Sequence, residues 1–168
     1  MKKITVREIM KFGPCDRYNV FTVFKLIKFG KTPLEILDLP ISKSDKFWLL
    51  LRSDYIPIKQ LHILACDFAQ EVAYLNPDPR VQAAIDAKRL WIDGKITDEE
   101  LKKAADAAAY AAWSAADAAA DATRAAAYAA AYAAYADAAD SAAAADVDIG
   151  TKQIEMVRQV FIDMEELK

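Results

Sequence analysis

Residues 104–146 read AADAAAYAAWSAADAAADATRAAAYAAAYAAYADAADSAAAAD, and 28 of these 43 residues are alanine. Alanine has the highest intrinsic helix propensity, and no Gly or Pro interrupts the stretch, so the sequence predicts helix along it. The other residues recur mostly at steps of three or four. At 100° per residue this spacing, which continues to residue 135, places them within an arc of roughly 120°. The predicted helix therefore carries a narrow stripe of aromatic and charged side chains and a broad face of methyl groups.

This stripe is the predicted binding surface. It begins at Lys102 and Asp106, and its predicted site residues are Tyr110, Trp113, Asp117, Asp121, Arg124, Tyr128, Tyr132 and Tyr135. Tyr and Trp offer large contact areas with a polar tip and are favoured at interfaces. Arg124 beside Tyr128 could hold a carboxylate or phosphate while the ring stacks on a base. The alternative is that the rings pack into the core with the charged groups at its edge, although burying two aspartates with an arginine is costly.

The methyl face of the alanine tract needs covering. Alanine offers little hydrophobic area per residue, so this face must pack against helices of the same or another subunit. A continuous helix over residues 98–146 would be about 70 Å long at 1.5 Å per residue. A compact domain of this size is about 40 Å across. We therefore expect either two packed helices or one helix that pairs with a second copy, and we expect a homo-oligomer.

Signals for the start of a helix occur throughout the rest of the chain. Capping boxes, in which Thr precedes Glu by three residues, are predicted at two of these helix starts, and other caps precede a proline at the first helical position. These signals are Thr5 with Glu8, Thr97 with Glu100, Thr32 before Pro33, Asp78 before Pro79, Ser42 or Ser44, and Thr151 for the last helix. The sequence predicts an all-α fold of about eight helices packed around the alanine-rich helix, which is either continuous or broken in two.

The length of 168 residues is suited to one domain with a sizeable core. Within that single domain, 1–168, we distinguish four segments. Residues 1–46 form an N-terminal helical segment, and residues 47–96 form the core helices. Residues 97–146 form the alanine-rich helix, and residues 151–168 form a C-terminal helix.

The charge is unevenly distributed around a net value of −3. Residues 1–60 carry 12 Lys and Arg against 6 Asp and Glu, whereas residues 61–168 carry 10 against 19. The basic part could face an acidic partner, or the two parts could attract each other. No Arg-rich cluster or nucleic-acid motif accompanies the excess, so nucleic acid is not the expected partner. Two cysteines, no signal peptide and no membrane span predict a cytoplasmic protein.

Catalytic patterns are hard to find. His62 is the single histidine, and Cys66 follows it by one helical turn. The expected role of this pair is a buried cysteine with a histidine packed nearby. Asp117 and Asp121 could bind a hard cation, but two carboxylates on one regular helix more often form a solvated face. No CxxC, HExxH or glycine-rich phosphate loop occurs. We expect no enzyme activity, no metal and no cofactor.

Two stretches before the tract carry a family resemblance. From Leu61 the chain reads L-H-x-x-A-C-x-F-A, and from Asp78 it reads D-P-R-V-x-A-A-I-x-A-K-R-L-W-I-x-G-K-I-T-x-E-E-L. Together with the alanine array, this pattern resembles the Imm-5-like immunity proteins over roughly residues 47–146. That family comprises small alanine-rich helical proteins that are linked to bacterial toxin–immunity loci, and similar sequences occur in phages.

The resemblance implies a non-enzymatic binding protein that neutralises a protein partner. That partner would be a toxin or, if the chain is encoded by a phage, a bacterial defence component. An alternative is an oligomer that sequesters a small nucleotide-like signal against the stripe. A third possibility is a purely structural oligomeric scaffold.

Overall fold

The computed structural model describes residues 1–114 and 150–167, and eight α-helices lie within these ranges. They are α1 (Val6–Lys11), α2 (Val20–Ile27), α3 (Pro33–Leu37), α4 (Lys43–Leu50), α5 (Ile58–Val72), α6 (Pro79–Ile92), α7 (Asp98–Ser114) and α8 (Gly150–Glu166). A short 3₁₀ turn, Asp16–Tyr18, lies between α1 and α2, and a second one, Ala73–Leu75, follows α5. No strand occurs in the described ranges, and the all-α class is confirmed. None of the helices described there has the length and apolar character that would let it span a bilayer.

Local hydrogen bonds explain where several helices begin. At α1 the amide of Glu8 donates to Thr5 Oγ1 (3.3 Å), and the amide of Thr5 donates to Glu8 Oε2 (2.9 Å). The same reciprocal pair joins Thr97 and Glu100 before α7, at 3.3 and 2.8 Å. Each pair satisfies two backbone donors that a helix start leaves without partners. Both predicted capping boxes are therefore confirmed.

The predicted start of the last helix is wrong. Thr151 was expected as its cap, but α8 already includes Gly150 and Thr151. A cap residue lies outside the first helical turn, so Thr151 does not take that position.

A close backbone contact joins the N-terminus to the turn after α2. Ile4 and Lys31 exchange two backbone hydrogen bonds, of 2.7 and 3.1 Å. Gly30 precedes this contact with a φ of +106°, and a Cβ atom there would lie 3.1 Å from the Ile4 carbonyl oxygen. Glycine is required here for both its conformation and its lack of a side chain.

The chain divides into two compact units, which are described separately. Unit 1 comprises Met1–Leu50 and Ile154–Lys168. Both of these segments contribute buried apolar side chains to unit 1. They are Ile4, Ile9, Val23, Ile27, Ile36, Leu37, Phe47, Leu49, Leu50, Val157, Val160 and Phe161. The Nη2 atom of Arg158 on α8 donates to Asp38 at 2.6 Å, which ties the C-terminal helix to the end of α3.

Unit 2 comprises Leu51–Gln153, and α6 packs against both α5 and α7. One face of α5 is buried, with the apolar side chains Leu61, Leu64, Ala65, Phe68 and Val72. Val81, Ala84 and Ile85 of α6 are buried as well. The single-domain organisation with four segments stays a prediction, and the continuity of the alanine helix after Ser114 lies outside the described residues.

Candidate functional site

The first turns of the alanine helix separate a buried face from an open one. Four side chains at helical spacing on α7 are buried: Leu101, Ala105, Ala108 and Ala111. Leu101 and Ala105 pack against Ala87, Trp91 and Ile96. Small methyl groups allow helices to approach closely, and α6 covers them here. Within the described part of the tract, Ala105, Ala108 and Ala111 are buried, and the packing of the other helices around the whole alanine-rich helix stays a prediction.

The stripe lies on the opposite side of α7. Lys102 is exposed, and its Nζ atom lies 2.7 Å from Oδ2 of Asp106, one helical turn away. The Tyr110 side chain follows on the same side and is 62% exposed. The stripe therefore begins as a solvent-facing surface.

The other predicted site residues are not placed by the structure. Trp113 belongs to α7, but its side chain is not among those that the structure describes. The remaining six lie outside the described residues: Asp117, Asp121, Arg124, Tyr128, Tyr132 and Tyr135. Tyr110 is thus the one predicted site residue whose side chain the structure describes, and the assembly of the site stays a prediction.

His62 and Cys66 lie in the core of unit 2. Both side chains are buried on α5, as expected for packing residues. Burial raises the pKa of the Cys66 thiol to about 11, so the thiol is protonated at neutral pH. Burial, followed by the charge of Lys88, lowers the pKa of His62. A protonated thiol is a poor nucleophile, and the interpretation of this pair as packing residues is confirmed.

Sequence reasoning did not find the buried lysine of unit 2. The Lys88 side chain is 1% exposed, and its Nζ atom lies 3.9 Å from the centroid of the Trp91 ring. The Trp91 ring also meets His62 edge to face, with 5.1 Å between centroids, and its Nε1 atom donates to Asp98 at 2.6 Å. Burial lowers the pKa of Lys88 to about 8. The face of an indole ring attracts a cation, which stabilises the ammonium form in this apolar setting.

Unit 1 contains an apolar pocket of about 320 Å³. Its lining comes from four separate parts of the sequence: Ile9, Pro14, Cys15, Tyr18, Val23, Leu26, Ile27, Leu39, Ile41, Ser44, Asp45, Trp48 and Leu49. This volume lies at the lower end of the range for small-molecule sites. Because the lining residues share no motif or spacing, the sequence carried no signal for the pocket.

One carboxylate organises a wall of that pocket. Asp45 accepts hydrogen bonds from Arg17 Nη2 (3.0 Å to each oxygen), from the Tyr18 hydroxyl (2.7 Å) and from Ser42 Oγ (2.5 Å). Burial alone would raise the pKa of Asp45, but the hydrogen bonds from Ser42 and Tyr18 outweigh it and lower the pKa. Burial and the bond to Asp45 raise the pKa of Tyr18 to about 12. The network fixes the Asp16–Tyr18 turn against the start of α4.

A second apolar surface of unit 1 is open. Four large side chains of α2 and the turn after it are exposed, namely Val20, Phe21, Phe24 and Phe29. Phe24 and Phe29 meet edge to face with 6.4 Å between centroids, and Lys25 Nζ lies 4.3 Å from the centroid of Phe21. We call these five residues the α2 surface. Exposed apolar patches of this kind mark interaction sites.

No group of three or more His, Cys, Asp or Glu side chains in the described part of the chain is placed to hold a metal ion. Comparisons with protein families, with curated proteins and with solved structures give no match to the chain.

Proposed function

We propose that the chain is a non-enzymatic binding protein of the immunity-protein type, which neutralises a protein partner. That partner is a toxin or, if the chain is encoded by a phage, a bacterial defence component. The stripe that begins at Tyr110 is the proposed contact surface. The homo-oligomeric state and the cytoplasmic location belong to the same proposal.

The exposure of Tyr110 carries this proposal. Tyr110 is 62% exposed, whereas Ala108 and Ala111 on either side of it in sequence are buried. The alanine face of the helix is therefore buried in the fold, and the exposed ring of Tyr110 offers area for contact with another molecule. Tyrosine is enriched among the residues that dominate interface energies, since it combines a large ring with a polar tip.

The charge next to Tyr110 also suits a protein interface. Asp106 and Lys102 pair with each other at the edge of the stripe, where water reaches both groups. Such rim charges guide partners together and fix their orientation more than they add affinity. The inert, protonated thiol of Cys66 is likewise consistent with binding rather than nucleophilic catalysis.

Native mass spectrometry tests the proposed function. The tagged full-length chain is isolated under gentle conditions from the cells that make it, and the complex is weighed intact. A bound protein that the chain inhibits when both are purified supports the proposal. A retained nucleotide-sized mass with no protein partner would overturn it in favour of the alternative, an oligomer that sequesters a nucleotide-like ligand.

A matched pair of tyrosines then tests the stripe itself. Tyr110→Ala should weaken the affinity for the partner about tenfold or more, as expected for an interface tyrosine. Tyr74→Ala is the control, because Tyr74 is 75% exposed on the 3₁₀ turn after α5 and lies outside the stripe. Arg124→Ala combined with Tyr128→Ala should abolish binding. Equal affinities for all these variants would remove the stripe from the proposal.

A further inference from the structure

Helix α2 is apolar over more of its circumference than unit 1 covers. At 100° per residue, its apolar positions span an arc of roughly 220°, whereas a surface helix needs an apolar stripe of about 100°. Only Thr22 and Lys25 interrupt the circumference. One side of the arc, with Val23 and Ile27, is buried in unit 1. The other side holds Val20, Phe21 and Phe24 and faces solvent.

From this excess we infer that the α2 surface is a self-association site, on which a second copy of the chain docks through its own α2 surface. The contact is isologous, so each copy offers the same residues across a two-fold axis. This inference rests on the homo-oligomeric state in the proposed function and names its contact, but it does not depend on the stripe of unit 2 or on the identity of any partner.

The exposed area is close to that of a small dimer interface. Phe21, Phe24 and Phe29 are 65, 46 and 90% exposed. With about 200 Å² for each aromatic side chain, they offer about 400 Å² per copy, or about 800 Å² for two. Val20 and the aliphatic stem of Lys25 add to this area. The sum approaches the ~1,200 Å² at which stable, specific interfaces begin.

The side chains of the α2 surface are already ordered before the two copies associate. The edge-to-face contact of Phe24 with Phe29 and the stacking of Lys25 on Phe21 hold these side chains in place. Side chains that are already ordered lose less conformational entropy on association. A shaped and rigid aromatic surface matches another folded surface better than it matches a fluid bilayer, and α2 has only eight residues with which to lie in a membrane interface.

The charges around the surface give the dimer a distinctive salt response. Residues 17–34 contain four Lys and Arg and no Asp or Glu. Lys25 and Lys28 are exposed and have no carboxylate within salt-bridge distance in the described part of the chain. Across a two-fold axis these lysines repel one another. Added salt screens that repulsion and strengthens the dimer, whereas it would weaken a complex with an acidic protein.

Sedimentation velocity of the purified full-length chain tests the inference. Over about 1–200 µM, the native chain should pass from monomer to dimer, and raising NaCl from about 50 to 500 mM should strengthen the dimer. Phe21→Ser combined with Phe24→Ser should raise the dissociation constant about 100-fold or more, as expected for the loss of two interface anchors. Tyr74→Ser, which removes an equally exposed ring outside the surface, should leave it unchanged.

Folding is checked separately by circular dichroism, and Phe29→Ser provides a second variant because Phe29 follows α2 rather than belonging to it. A chain that stays monomeric at 200 µM would overturn the inference. A dimer that both the double variant and Phe29→Ser leave intact would also overturn it, since its contact would lie elsewhere. Binding to phosphatidylserine vesicles that the double variant abolishes would assign the surface to a membrane and would likewise overturn it.

Discussion

The Nζ atom of Lys88 lies 3.9 Å above the Trp91 ring in the core of unit 2, where the side chain is almost fully buried. Burial lowers the pKa of this lysine from 10.5 to about 8. Between these two values the unfolded chain binds more protons than the folded chain, so stability rises with pH across this window. Below pH 8 the penalty for burying the charged form is fully present.

Lys88→Met should therefore stabilise the chain at pH 7 and remove this rise. The difference between 10.5 and about 8 corresponds to about 3 kcal/mol, which is the upper limit of the gain because the cation–ring contact is lost. Urea unfolding at pH 7, 8, 9 and 10 measures the effect. Lys59→Met is the control, since Lys59 is exposed on α5. A parallel pH dependence in the Lys88 variant and the native chain would show that Lys88 does not titrate in this window.

The Asp45 network should behave as one unit in unfolding experiments. Tyr18→Phe and Asp45→Asn should each destabilise the chain, by about 1 kcal/mol for a neutral hydrogen bond and up to about 3 kcal/mol where a charge is involved. Because Tyr18 donates directly to Asp45, the double variant should cost less than the sum. Strict additivity would show that the two side chains do not interact.

Acid should weaken the same network. The pKa of Asp45 is lowered in the folded chain, so its contribution is complete above the ordinary pKa of an aspartate and is lost as pH falls through the folded value. The unfolding free energy of the native chain should fall more steeply below pH 4 than that of Asp45→Asn. An identical acid response of the two chains would contradict this assignment.

The methyl face of α7 should reject larger side chains. Ala108 is fully buried, so Ala108→Leu should destabilise the chain by about 1–3 kcal/mol through overpacking. Ala109 is the next residue and is only partly buried, so Ala109→Leu should stay within about 0.5 kcal/mol of the native chain. Thermal unfolding followed by circular dichroism compares the two variants. Equal costs would mean that α6 does not cover the alanine face.

Short-range signals were the ones that the sequence predicted well. The capping boxes of Thr5 with Glu8 and of Thr97 with Glu100 involve residues three apart, and their geometry depends on little else. Ser42, one of two predicted caps before α4, is the one that accepts a hydrogen bond from the amide of Asp45. Such interactions can be identified from residues that are close together in the sequence.

Features that depend on contacts between distant segments could not be predicted. Periodicity identifies the apolar positions of α2, but it does not tell which of its two apolar sides is covered. A lysine at position 88 looks like a solvated residue until the packing of α5 and α7 against α6 is known, because its side chain is buried in the folded unit. The pocket of unit 1 joins residues as far apart as Ile9 and Leu49. In each case the deciding partner lies elsewhere in the sequence.

The two cysteines should differ sharply in reactivity. Cys15 is exposed beside the pocket of unit 1, whereas Cys66 is buried and burial raises the pKa of its thiol to about 11. Only the thiolate reacts readily, so at pH 8 a disulfide reagent such as DTNB should label one thiol of the native chain quickly. The second thiol should react only on unfolding, when both burial and the raised pKa are lost. Cys15→Ser should remove the fast phase and keep the slow one, and fast labelling in that variant would show that Cys66 is accessible in the folded chain.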